Sequence, residues 1–139
     1  MVNKERRCLM DFSELLDCLT INQIKEIKLV KSRSNYAKEM RDITADLDLI
    51  IRKRKLRLSA RIIRLSVVLS QINLQIWQAK ENMTINPKRF NKFMKLAHQL
   101  NGIRNQVKNL IIDEVSSGNQ ARKKTNLNTD DLKGWQISL

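Results

Sequence analysis

Between Leu58 and Met83, apolar side chains recur at Leu58, Ile62, Leu65, Leu69, Ile72, Ile76, Ala79 and Met83, in alternating steps of 4 and 3. Steps of that size return to one side of an α-helix, whereas a strand repeats at every second residue. The stretch is therefore expected to be one long amphipathic helix. A stripe of this length needs a partner of similar length, and the chain supplies one. Asn86-Pro87 reads as a helix start. Asn86 is a good N-cap, and Pro87 would sit at the first helical position, where a missing N–H costs nothing. Beyond it Phe90, Phe93, Ala97, Leu100, Ile103 or Arg104, Val107, and Leu110 or Ile111 form a second stripe reaching Val115. Two long helices joined by a short loop fold back on each other. The spacing predicts an antiparallel hairpin over 56–83 and 87–115.

The N-terminal half carries two shorter stripes. Ser13 can cap a helix whose first turn holds Glu14 and Asp17, acids of the right sign for a helix N-terminus. Phe12, Leu15, Leu16 and Leu19 form its apolar face, which Ile21, Ile24, Ile27 and Val30 extend. Thr20-x-x-Gln23 also reads as a capping box. The element is either one helix from 13 to 31 or two short ones, and a break at Thr20 is the preferred reading. The next helix, 35–51, has its seam at Tyr36, Met40, Ile43, Leu47 and Ile50. That register does not run on into Leu58, so a slip falls on Arg52–Arg57. With no Gly or Pro there to force a turn, a continuous or kinked helix is expected.

Only 3 Gly and 1 Pro occur in the chain, too few turn residues for a sheet protein. At 139 residues one domain is expected. The reading is all-α: an up-and-down helical bundle over 1–118, dominated by the hairpin, with the N-terminal helices packed across it. Ser116-Ser117-Gly118-Asn119 should stop the last helix. The polar tail 119–139 ends in Trp135, Ile137 and Leu139, a candidate docking peptide. Seams this long leave apolar surface for self-association into a homo-oligomer, or for a partner.

Charge points to the partner class. Lys and Arg number 27 against 14 acids, a formal charge of +13. Such an imbalance repels itself in the compact state and favours an anionic partner: nucleic acid, an acidic protein or an anionic membrane surface. The charge is concentrated in Arg52, Lys53, Arg54, Lys55, Arg57, Arg61 and Arg64, and no acid occurs between Asp48 and Glu81. Arg dominates this run, and Arg matches phosphate bidentately better than Lys does. A second set, Lys88, Arg89, Lys92 and Lys95, opens the last helix. Positive charge there opposes the helix dipole, a cost that a bound anion would relieve. Aromatics are only 4% of the chain, too few for a base-stacking platform.

The expected function is therefore a non-enzymatic accessory protein that binds the backbone of DNA or RNA, or a nucleoprotein complex, through a basic helical face. The rival is a helical protein–protein adaptor or structural subunit that self-associates or docks an acidic partner. Pairing of the Arg52–Arg64 run with Glu26, Glu39, Asp42, Asp46 or Asp48 would favour the rival. An open stripe would favour nucleic acid.

Other chemistries lack residues. Cys8 and Cys18 fit neither a redox pair nor a zinc set. The one histidine, His98, is expected to be a partly buried structural residue. No nucleophile–base–orienter set, phosphate loop or metalloprotease motif occurs, so no enzyme, cofactor or metal is expected. The longest uncharged stretch, Leu65 to Ala79, is 15 residues, too short to span a bilayer. No secretory leader is visible, and a cytoplasmic protein is expected.

Overall fold

A computed structural model describes residues 10–115 and Ser138. The expected helix stop at 116–119, the boundary at 118, and Trp135, Ile137 and Leu139 lie outside the described residues. The described chain is all helical: α1 (Phe12–Lys28), α2 (Arg33–Lys53), α3 (Ala60–Ile85) and α4 (Phe90–Val115). Short 3₁₀ turns at Val30–Ser32 and Pro87–Arg89 link α1 to α2 and α3 to α4.

The α3–α4 hairpin dominates the bundle as the spacing predicts. Ile62, Leu65, Leu69, Ile72, Ile76 and Ala79 of its seam are buried, against Ala97, Leu100, Ile103, Val107 and Ile111 of α4. α1 lies against both helices and carries α2 on its other side. Phe12 and Leu15 of α1, with Leu47 and Ile50 of α2, complete the core. Because Leu69 is fully buried at its centre, Leu69→Ala is expected to cost about 2–5 kcal/mol of stability in chemical denaturation.

Several boundaries differ from those expected, each for a local reason. The cap of α1 is Asp11, not Ser13: Asp11 Oδ1 accepts from Glu14 N at 2.9 Å and from Ser13 Oγ at 2.8 Å. No break occurs at Thr20. Its hydroxyl donates to Asp17 O at 2.8 Å and accepts from Asn73 Nδ2 at 2.7 Å, so it serves the tertiary packing and caps nothing. Ile27 and Val30, expected in the seam, are exposed. At the hairpin loop Pro87 does take the first position, but of the 3₁₀ turn, and the Asn86 side chain makes no capping bond. His98 is exposed, not partly buried.

The largest difference is between α2 and α3. The helix does not continue through 52–57: α2 ends at Lys53, and α3 starts at Ala60 with Ser59 as its cap. Lys55 adopts φ 50°, the left-handed conformation. Leu56 N donates back to Ile51 O at 2.9 Å and Lys55 N to Arg52 O at 3.3 Å. These are the two bonds of a left-handed helix C-cap, which normally places glycine where Lys55 stands. The two apolar residues that such a cap brings together, Ile51 and Leu56, both pack against the core. The cap closes α2 despite its lysine, so removing the Cβ should relieve strain. Lys55→Gly is expected to raise stability by about 1 kcal/mol, read as a higher denaturation midpoint.

Candidate nucleic-acid interface

The break in the helix reshapes the basic run. Arg52 and Lys53 close α2, where the dipole favours positive charge. Arg54, Lys55 and Arg57 lie beyond that end, on the turn, where the dipole no longer accounts for them. All five are exposed. Arg52 Nε reaches only the backbone oxygen of Asp48, at 3.3 Å. Among the described residues no acidic side chain pairs with any of the five, including Glu26, Glu39, Asp42, Asp46 and Asp48.

Arg61 and Arg64 differ from these. Arg61 Nε lies 3.6 Å from Glu114 Oε2, on the end of α4. The other oxygen of Glu114 accepts from the α3 cap, Ser59 Oγ, at 3.1 Å. Arg61 thus helps to tie the hairpin's open end and carries less net charge outward. Arg64 Nη2 donates to Ser138 Oγ at 3.0 Å.

The second set stands at the other end of the hairpin. Lys88 and Arg89 form the 3₁₀ turn and Lys92 and Lys95 follow in α4, all exposed. The Arg89 guanidinium lies 6.0 Å from the Phe93 ring centroid, within cation–π range. α3 has 26 residues, so about 39 Å of helix separates the two basic ends. The structure therefore gathers Arg52–Arg57 into one cluster with Arg61 and Arg64 at its edge. It sets Lys88–Lys95 apart as a second.

The charges that matter most to the fold were not expected from the sequence. Asp17, only 2% exposed, is the hub of a buried polar cluster joining three helices. Its Oδ1 accepts from Asn73 Nδ2 of α3 at 2.9 Å and from Arg104 Nε of α4 at 2.9 Å. Its Oδ2 accepts from Arg104 Nη2 and from Lys108 Nζ, the latter at 3.4 Å. Lys108, 4% exposed, also meets Glu14 Oε1 at 2.9 Å. Burial pushes the Asp17 carboxyl up, but the hydrogen bonds from Arg104 and Asn73 and the charges of Arg104 and Lys108 outweigh it. Its pKa lies below the ordinary carboxylate value. Burial pulls Arg104 down, and the Asp17 bond and charge reverse that, leaving it raised. The signal was present in the stripes: Arg104 occupies a seam position of α4, and Asn73 sits beside Ile72 in the seam of α3.

Cys18 is next to this hub. Burial, then the charges of Asp17 and Glu14, push its thiol up, which keeps it protonated and a poor nucleophile. No group of His, Cys, Asp and Glu among the described residues is arranged to hold a metal ion. No helix among them is long and apolar enough to cross a membrane. No family model, curated protein or solved structure matches the chain.

Proposed function

We propose that this protein is a non-enzymatic accessory factor that binds the nucleic-acid backbone through the basic turn between α2 and α3. One observation carries the reading. Arg52 and Lys53 at the end of α2, and Arg54, Lys55 and Arg57 just beyond it, are exposed with no acidic partner among the described residues. A fold that pairs Glu14 and Asp17 with Arg104 and Lys108 between its helices has the means to pair charges. It leaves this cluster open.

The turn offers exposed guanidinium forks, and residues 52–57 include no aromatic side chain on which a base could stack. Phosphate contact without sequence preference is the chemistry it suits. Lys88, Arg89, Lys92 and Lys95 give a longer polymer a second contact at the opposite end.

Equilibrium binding of the purified protein to labelled duplex DNA, single-stranded DNA and RNA at low salt tests this, with polyglutamate as competitor. Binding to a nucleic acid that polyglutamate displaces poorly supports the proposal. Tight polyglutamate binding with none to any nucleic acid would instead support an adaptor for an acidic protein.

A further inference from the structure

An open apolar groove runs along the side of the bundle, with α1 as its floor and α2 and α3 as its walls. One half, about 480 Å³, is lined by Leu16 of α1, Leu47 and Ile51 of α2, Ile63 and Val67 of α3, and Leu58 just before α3. It continues past Ser70 into a second hollow of about 460 Å³ lined by Leu19, Ile27 and Leu74. Leu58, Ile63 and Val67 remain 52%, 62% and 52% exposed. Ile63 and Val67 are one helical turn apart and share a face of α3. Contiguous apolar surface of this kind marks a docking site.

The chain's own end identifies the occupant. Arg64 stands between Ile63 and Val67 in the sequence of α3, and it holds Ser138 Oγ at 3.0 Å. Ser138 is therefore held on α3 by the residue that follows the groove-lining Ile63. Ser138 is flanked by Ile137 and Leu139, with Trp135 two residues earlier. In an extended segment, Trp135, Ile137 and Leu139 fall on one side and Ser138 on the other. A segment that presents Ser138 to Arg64 can thus turn its three apolar side chains towards the groove. The length of chain permits this. The end of α4 lies beside the start of α3, where Glu114 contacts Ser59 and Arg61. The 22 residues of 116–137 can reach across up to roughly 70 Å. A tethered segment is present at an effective concentration on the order of millimolar, which a second copy in dilute solution does not reach.

We infer that this groove is the seat of the chain's own C-terminal segment, with Trp135, Ile137 and Leu139 in the apolar trough and Ser138 fastened to Arg64. The inference is independent of the nucleic-acid reading, and its test involves no binding partner. Two variants of the full chain are compared with the parent by NMR. One carries Trp135→Ser, Ile137→Ser and Leu139→Ser; the other carries Ile63→Ser and Val67→Ser, exposed positions whose replacement does not endanger the core. The tail variant is expected to shift the methyl signals of Ile51, Ile63 and Val67 while leaving those of Met94 in place. The groove variant is expected to move the Trp135 indole signal to its position in an unstructured peptide. Groove methyls indifferent to the tail variant would overturn the assignment. So would a Trp135 indole already at the unstructured position in the parent. A dimer by light scattering whose groove methyls ignore the tail variant would give the groove to a second copy.

Discussion

Asp17→Ala is expected to lower the unfolding free energy by about 3–5 kcal/mol, because it leaves buried cations without their counter-charge. Arg104 loses two hydrogen bonds to the same carboxylate, and Lys108, almost wholly buried, keeps only Glu14. Asn73 loses one of its two acceptors and keeps the Thr20 hydroxyl. The effect is large because Lys108 is almost wholly buried and cannot turn to water without opening the packing of α1 on α4, although Arg104 is partly exposed. The exposed pair between Lys28 and Glu81, at 3.8 Å, is a useful contrast. Removing that pair by Lys28→Ala, which leaves the bond from Trp77 to Glu81 in place, should cost no more than about 1 kcal/mol. Urea denaturation followed by circular dichroism measures both. A loss for Asp17→Ala as small as that of the exposed pair would show that the cluster does not hold the helices together.

The same carboxylate sets an acid limit on the bundle. Its folded pKa lies below the ordinary value, so the native state holds the ionised form more tightly than the unfolded chain does. That contribution is complete above the unfolded carboxylate pKa of about 3.9 and is lost as pH falls through the lower, folded value. The denaturation midpoint of the parent should therefore fall as the solution is acidified below about pH 4. For Asp17→Asn, which keeps the shape but not the charge, that part of the acid dependence should be missing.

Replacing Arg52, Arg54, Lys55 and Arg57 together with Gln is expected to weaken nucleic-acid binding by roughly 10²–10³-fold at about 0.1 M salt. Each phosphate contact on a duplex contributes up to about 0.9 to the slope of log K against log salt, so the slope should flatten by roughly three. Helix content and denaturation midpoint should change little, because all four side chains are exposed. Arg61 is left out of the set because its bond to Glu114 makes it part of the hairpin. An unchanged slope in the variant would move the contact elsewhere, to Lys88–Lys95 first.

The parts of this structure legible in the sequence are those fixed by local periodicity. The hairpin follows from two stripes and Asn86-Pro87, and the basic cluster from uninterrupted charge. The turn between α2 and α3 was not legible, because its left-handed cap residue is Lys55 and not glycine. The slip in register between Ile50 and Leu58 was the only trace of it. Thr20 misled for the opposite reason. Its local pattern suits a helix start, but its hydroxyl is occupied by Asp17 and by Asn73, which lies 53 positions further on. Asp17 itself suits a solvated first-turn acid. Arg104 in the seam of α4 is the one local hint of a buried charge, and only the pairing of α1 with α4 reveals that Asp17 is its partner. The placement of the site followed the same division. The residue types were visible, and the hairpin alone sets Lys88–Lys95 at the end of the long helix opposite Arg52–Arg57; the structure adds the distance, about 39 Å.

The central claim, that the open cluster on the α2–α3 turn is a backbone-binding surface, is tested most directly by a salt titration. Affinity of the parent protein for labelled duplex DNA, single-stranded DNA and RNA is measured across a range of salt concentrations. The expected result is binding at low salt to at least one polymer, with log affinity falling linearly and steeply against log salt, by a slope of about −4 or more for a duplex. A folded protein that binds none of the three at low salt, or one whose affinity ignores salt, would contradict the account.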